Sequence, residues 1–206
     1  MISYTITVHN EAHELQLLLT YLLKYIKDVD EVVVQSDVDK VTEDVESVIE
    51  DFIDKFNKFV YIKFPLQNDF SSFKNNLKNK CYKDWIFFID ADEYLSEGLL
   101  DNIHSILNIN KGLVDVIAVP RINTVDGLTR DHIDKWKWFV DENGWINYPD
   151  YQTRICFNSA EINWVNKVHE RLSGWKRIAN LPEGYDLIHP KTIERQERQN
   201  NFYNTL

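Results

Sequence analysis

Apolar residues along the first 120 positions fall into two alternating rhythms. Short, dense runs at 2–8, 31–34, 59–64, 85–90 and 115–120 predict buried strands. The segments between them follow helical spacing. Residues 11–27 place Leu15, Leu18, Leu19, Leu22 and Ile26 on one face, and 41–56 do the same with Val41, Val45, Val48, Ile49, Phe52, Ile53 and Phe56. Two more helices are predicted over 71–82 and 96–109, and Pro65 closes the third strand. Strands alternating with helices predict an α/β, Rossmann-type, mostly parallel sheet flanked by helices.

After residue 120 the rhythm breaks. Residues 135–151 are dense in Trp, Phe and Tyr and keep no period. Residues 153–157 and 161–168 predict an antiparallel pair turning at Asn158 and Ser159, and the polar stretch 192–206 predicts a helix. This half reads as a small antiparallel C-terminal lobe folded onto the sheet, within a single domain spanning 1–206.

Composition narrows the function. At 206 residues, 44% hydrophobic and 27% charged, the chain can build one substantial core. Its 23 Lys and Arg against 33 Asp and Glu give a net charge of −10. That balance argues against nucleic acid and anionic lipid as partners and favours divalent cations, which can carry a phosphorylated ligand into an acidic cleft. Cys81 and Cys156 are too few for a disulfide framework and read as core residues. The N-terminus lacks a basic leader, and the apolar run 15–26 is interrupted by Gln16, Thr20 and Lys24, too short for a membrane span. The expected location is cytoplasmic.

The strongest chemical signal is the segment Asp84 to Leu95. Trp85 to Ile89 form an unbroken apolar run, the mark of a strand buried on both faces, and it ends abruptly in Asp90, Ala91, Asp92 and Glu93. In open α/β sheets ligands sit just beyond the carboxyl ends of strands. Residues two apart on an extended segment project to one side, so Asp90 and Asp92 can reach one ligand, with small Ala91 leaving the backbone open. Hard ions such as Mn²⁺ or Mg²⁺ suit these oxygens. The alternative is a set of solvated loop acids opening the next helix.

Here the sequence resembles the family 2 glycosyltransferases of the GT-A fold, in particular small bacterial and viral members. Thr5 to Ala12 looks like the family's first strand and its Asn-Glu turn, and Asp30 to Val34 like its second strand. Asn68 to Leu77 is similar to the "DFSxxRN" segment, followed at the expected distance by Asp84 to Glu93. Arg154 to Asn158 and Trp164 to Glu170 resemble the "RLFRN" and "W-x-x-x-V-H-E" elements. The chain departs from the family at Gln35 to Lys40, where a Gly-containing turn is usual; Asp37 stands nearest to the missing carboxylate.

The resemblance implies transfer of a sugar from a nucleotide-diphospho-sugar, a UDP-sugar foremost, to a carbohydrate or other hydroxyl acceptor, with inversion and a divalent metal. It assigns 1–120 to the nucleotide-sugar and 121–206 to the acceptor. It places Asn10, Glu11, Asp37, Asp69, Lys74, Asp90, Ala91 and Asp92 around the donor, with Asp92 on the metal. Glu170 is the first candidate for the catalytic base and Asp150 the second. His169 and His189 are candidate additional metal ligands. Neighbouring strand residues face opposite ways, so His169 and Glu170 can share one cleft only where the strand has ended or bulged. Arg154 suits either a phosphate or an internal ion pair. Trp136, Trp138, Trp145 and Trp164 suit either sugar stacking or the core. A non-catalytic binding relative and, further off, an Asp-x-Asp phosphohydrolase are the alternative functions.

Overall fold

The computed structural model describes residues 1–203. Its centre is a mixed sheet. Five strands of the expected alternation are present: β1 (Ile2–Val8), β2 (Glu31–Asp37), β3 (Phe59–Phe64), β4 (Trp85–Asp90) and β6 (Val116–Asp126). A short β5 (Tyr94–Leu95) follows β4. From the second half come β7 (Asp150–Phe157), β10 (Ile178–Asn180) and β11 (Leu187–Thr192). The order is β3-β2-β1-β4-β7-β6-β11-β5, with β10 also on β6. Neighbours within β1 to β4 pair parallel, as do β6 and β11, whereas β7 runs antiparallel to both β4 and β6. The α/β, mostly parallel expectation holds.

Helices cover the sheet. α1 (Ala12–Tyr25), α2 (Glu43–Phe52) and α4 (Glu97–Asn110) bury their apolar stripes, Leu15, Leu18, Leu19 and Leu22 among them, against Ile2, Tyr4, Ile6 and Phe87. On the other face α3 (Phe70–Lys78) packs Leu77 with Val33, Ile86 and Phe88. Both cysteines are buried there, as expected, and unpaired. A short α5 (Arg130–Trp136) and a polar α6 (Ile193–Tyr203) complete the chain. The predicted helix over 192–206 is met to Tyr203; its last three residues lie outside the described ones. Among the described residues no helix is long and apolar enough to cross a membrane.

One expectation fails. Residues 153–157 do not hairpin with 161–168. Instead β7 inserts between β4 and β6, pairing Ile86 with Cys156 and Ile117 with Ile155. The reason lies in burial: Arg154, Ile155 and Cys156 are all shielded, so β7 needs cover on both faces and a partner on each edge. Asn158 fixes its end, donating from Nδ2 to the carbonyls of Cys81 and Lys83 at 3.1 and 3.0 Å. The small antiparallel sheet is formed by β8 (Asn163–Val165) and β9 (Arg171–Ser173).

Candidate functional site

The carboxyl ends of β1, β2 and β4 meet along one edge of the sheet. Because β7 runs the other way, its opening residues Gln152 to Arg154 join that rim, as do the far half of β6 and, from β11, His189 and Lys191. Together with α6 and the 166–170 loop they enclose a cleft of about 1140 Å³. The position is the one open α/β sheets use for ligands.

Asp90 and Asp92 stand on its floor with Glu93 buried beneath them, and each is neutralised differently. Asp90 accepts hydrogen bonds from Arg154 at 2.5 Å and Thr7 Oγ1 at 3.2 Å, with Lys74 Nζ at 3.6 Å. Burial would raise its carboxyl, but the charges of Arg154 and Lys74 win and hold it well below the usual carboxylate range. Glu93 is fully buried; Oε1 takes Arg154 at 2.7 Å and Arg121 at 3.0 Å, and Oε2 caps the Asp90 backbone N–H at 3.1 Å. Arg154 therefore takes the ion-pair role of its two sequence readings. Ala91, buried, donates its backbone N–H to Thr7 O.

Asp92 is served from the C-terminal side. Its Oδ2 lies 3.2 Å from His189 Nε2 and 3.2 Å from an Arg195 nitrogen. Burial again works to raise the carboxyl, but the His189 hydrogen bond and charge, with Arg195, leave it lowered. Arg195 also reaches Glu11 at 3.1 Å and Glu14 at 2.8 Å, tying α6 to α1 across the cleft. Behind His189 runs a polar chain. Asn123 gives Nδ2 to Asp150 at 2.9 Å and turns Oδ1 to His189 Nδ1 at 2.9 Å. Asp150 further accepts from Arg121 at 2.7 and 3.0 Å and from Gln152 at 2.7 Å. Burial opposes ionisation there, but these partners keep its carboxyl lowered. A carboxylate so engaged has little capacity left to take a proton.

Most other sequence candidates converge on the cleft. Asn10, Glu11, Asp37 and Lys74 line it. Glu11 Oε2 accepts the backbone N–H groups of His9 and Asn10, and Asp37 those of Leu66 and Asp39. Lys74 Nζ sits 2.7 Å from Glu170 and 4.7 Å from the centre of the Trp164 ring. His169 and Glu170 both line the cleft because β8 ends at Val165 before them; His169 adopts a left-handed backbone, φ 55°. Asp69 stands apart. It is the N-cap of α3, accepting from Ser72 N at 2.9 Å and Ser71 Oγ at 2.7 Å, which lower its carboxyl.

Sequence reasoning missed Arg121, Asn123 and Lys191. The first two lie past the apolar stretch of β6, where no motif marks them. Lys191 lines the cleft beside His189 and is lowered by burial, the attraction of Asp92 only partly offsetting it. Among the described residues no group of three or more His, Cys, Asp or Glu side chains is assembled for a metal.

The family described as Glycosyl transferase family 2 matches residues 3–165. No curated protein matches the sequence. Among solved structures the chain resembles S. aureus TarS 1-349 (TM-score 0.66, 14% identity, 92% of this chain and 60% of that one). It resembles equally the same TarS fragment in complex with UDP-GlcNAc (0.67, 16%, 92% and 58%) and with UDP (0.66, 17%, 92% and 60%). The chain thus spans about three fifths of those TarS fragments and shares their GT-A fold. Since the match runs from β1 through the acidic end of β4 and on to β8, this chain belongs to glycosyl transferase family 2.

Proposed function

We propose that the protein transfers a sugar from a nucleotide-diphospho-sugar to a hydroxyl group of an acceptor, with inversion and with Mn²⁺ or Mg²⁺ held at Asp92. The observation that carries the reading is the placement of Asp90 and Asp92 at the edge of the cleft shared by Asn10, Glu11 and Asp37. TarS has been crystallised with UDP-GlcNAc and with UDP, which makes UDP the first nucleotide to test.

The residues fit a hard cation. Asn123 Oδ1 accepts from His189 Nδ1, which leaves Nε2 facing Asp92 Oδ2, 3.2 Å away, where the proton it donates can give place to an entering cation. Two lone pairs facing at that distance require a proton or a cation between them. Asp92 and His189 would hold the ion, with waters and phosphate oxygens completing its shell; His169 lines the same cleft and is a further candidate. When bound, the ion supplies positive charge to the departing diphosphate. Glu170, held at 2.7 Å by Lys74, receives the acceptor proton; Asp150, saturated by Arg121, Asn123 and Gln152, supports Asn123 and hence His189. One base beside the acceptor is what single displacement with inversion demands.

Thermal unfolding with UDP, GDP, CDP and dTDP, each with and without Mn²⁺ or Mg²⁺, tests the reading. A nucleotide at about 100 times its Kd stabilises by about 2.7 kcal/mol, worth roughly 5–10 °C for a chain of this size. No shift with any nucleotide–metal pair refutes the proposal. Asp92→Asn should lose the metal-dependent part of the shift; if that part survives, the ligand assignment is wrong.

A further inference from the structure

The rim of the cleft changes character along its length. Its β1, β2 and β4 portions and its α6 portion are charged, carrying Glu11, Asp37, Asp90 and Asp92 on one side and Arg195 and Arg198 on the other. Between them, where β7 and β6 meet the 137–147 segment, the wall presents Trp138, Ile146, Asn147, Gln152, Asn123 and Thr124, none charged. Of the charged groups beside it, Asp150 accepts from Asn123 and Gln152 and pairs with Arg121, which also holds Glu93, and Lys191 donates to Gln199.

This wall is braced. Lys137 ends α5 in a left-handed turn, φ 55°. Asp141 Oδ1 caps the N–H groups of Asn143 and Trp145 at 2.9 and 2.8 Å, and Val140 bridges Ile146. Phe139 and Asn147 exchange hydrogen bonds of 2.9 and 2.8 Å, and Ile146 N–H reaches Asn123 O at 2.9 Å. Trp138 packs on Trp136 at 4.6 Å, and Trp136 stacks on His132 at 5.1 Å and 14°. An indole fixed this way binds with little loss of side-chain freedom.

We infer that this wall is the acceptor subsite and that the acceptor is an uncharged sugar unit, its ring on Trp138 and its hydroxyls on the Asn147 and Gln152 amides. The inference rests on the transferase reading above. An anionic acceptor would need cations or clustered N–H groups, and a cationic one a carboxylate with spare lone pairs. The wall has neither, since Asp150 is saturated. A pyranose, apolar on one face and ringed with hydroxyls, matches an aromatic plate edged with amides. In the transfer step the acceptor oxygen forms a bond to the anomeric carbon and gives its proton to Glu170. The bond from that carbon to the diphosphate oxygen breaks, and its electron pair leaves with the diphosphate.

A glycan array probed with the protein in UDP and Mn²⁺ tests the assignment. Binding should concentrate on neutral glycans. Trp138→Ala should weaken it at least tenfold with the UDP-induced thermal shift retained, and Trp138→Phe, which keeps a ring in place, should lose less. Binding confined to sulfated, phosphorylated or uronic glycans, binding to none, or equal loss in both variants overturns the assignment. A parent protein with a normal UDP shift but no neutral glycan bound sinks the acceptor class alone. Absence of any UDP shift sinks the transferase reading with it.

Discussion

Replacing Arg154 by Met tests whether the acidic strand end is held together from within. Arg154 is 5% exposed, and its guanidinium bonds Asp90 at 2.5 Å and Glu93 at 2.7 Å. Without it the fully buried Glu93 keeps, among the described residues, Arg121 at 3.0 Å and the Asp90 N–H. Removing one partner of a buried pair costs about 3–5 kcal/mol, because the other charge is left stranded. A small offset comes from Arg154 Nε, which is buried with no partner among the described residues and leaves with the side chain. A net loss of about 3 kcal/mol lowers Tm by roughly 6–12 °C at this chain length. Calorimetry and urea unfolding read the change. Glu93→Gln added to Arg154→Met removes the stranded charge and should recover much of the loss. A single variant within about 1 kcal/mol of the parent refutes the account.

Three further outcomes are expected. Gly174→Ala should destabilise by about 2 kcal/mol or more in urea unfolding, since φ there is +88° and a Cβ would lie 1.9 Å from Glu161 O; parental stability would contradict the close approach. His104, hydrogen-bonded to Asp30 at 2.9 Å, is lowered by burial against the pull of Asp30. Its folded value lies below its unfolded one, so its contribution is complete above about pH 7 and declines as pH falls through the unfolded value of about 6.5. His104→Gln should flatten the pH dependence of Tm between pH 7 and 5, and an unchanged slope would assign it elsewhere. Arg195→Ala should tighten Mn²⁺ binding several-fold without nucleotide, measured from the spin-resonance signal of free Mn²⁺, because Arg195 and the ion compete for Asp92 Oδ2; unchanged affinity refutes the competition.

Legibility in the sequence followed the reach of the interactions. Helices α1 and α2 and strands β1, β2 and β4 each bury their own apolar pattern, so periodicity found them, and β3, only half-buried, still carries a dense apolar run. The Asp90–Asp92 pair was legible because an unbroken core strand ends in it. Strand β7 was recognised as a strand but given the wrong partner: its neighbours, β4 and β6, lie some seventy and thirty residues away, and no local signal reports edge pairing. Strand β11 reads Leu-Ile-His-Pro-Lys-Thr, and its internal Pro190 disguises it. Asn123 escaped notice for the same reason as the pairing. Its importance exists only once β6 and β11 are aligned, His189 opposite Asn123.

Three carboxylates at a strand end, Asp90, Asp92 and Glu93, demand neutralisation, and the fold divides that task by position. Glu93, fully buried, takes two arginines, and Asp90 shares one of them and adds Lys74; both charges are met whether or not a ligand is present. Asp92 alone relies on groups that arrive from the far end of the chain, His189 and Arg195. Its counter-charge is therefore exchangeable where the others are fixed. An Arg154–Glu93–Arg121 frame that stays assembled can hold Asp90 ready without ligand, which spares the cost of ordering it at the moment of binding. The exchangeable pair at Asp92 then couples whatever cation enters to the position of α6, because the same Arg195 also grips Glu11 and Glu14 on α1.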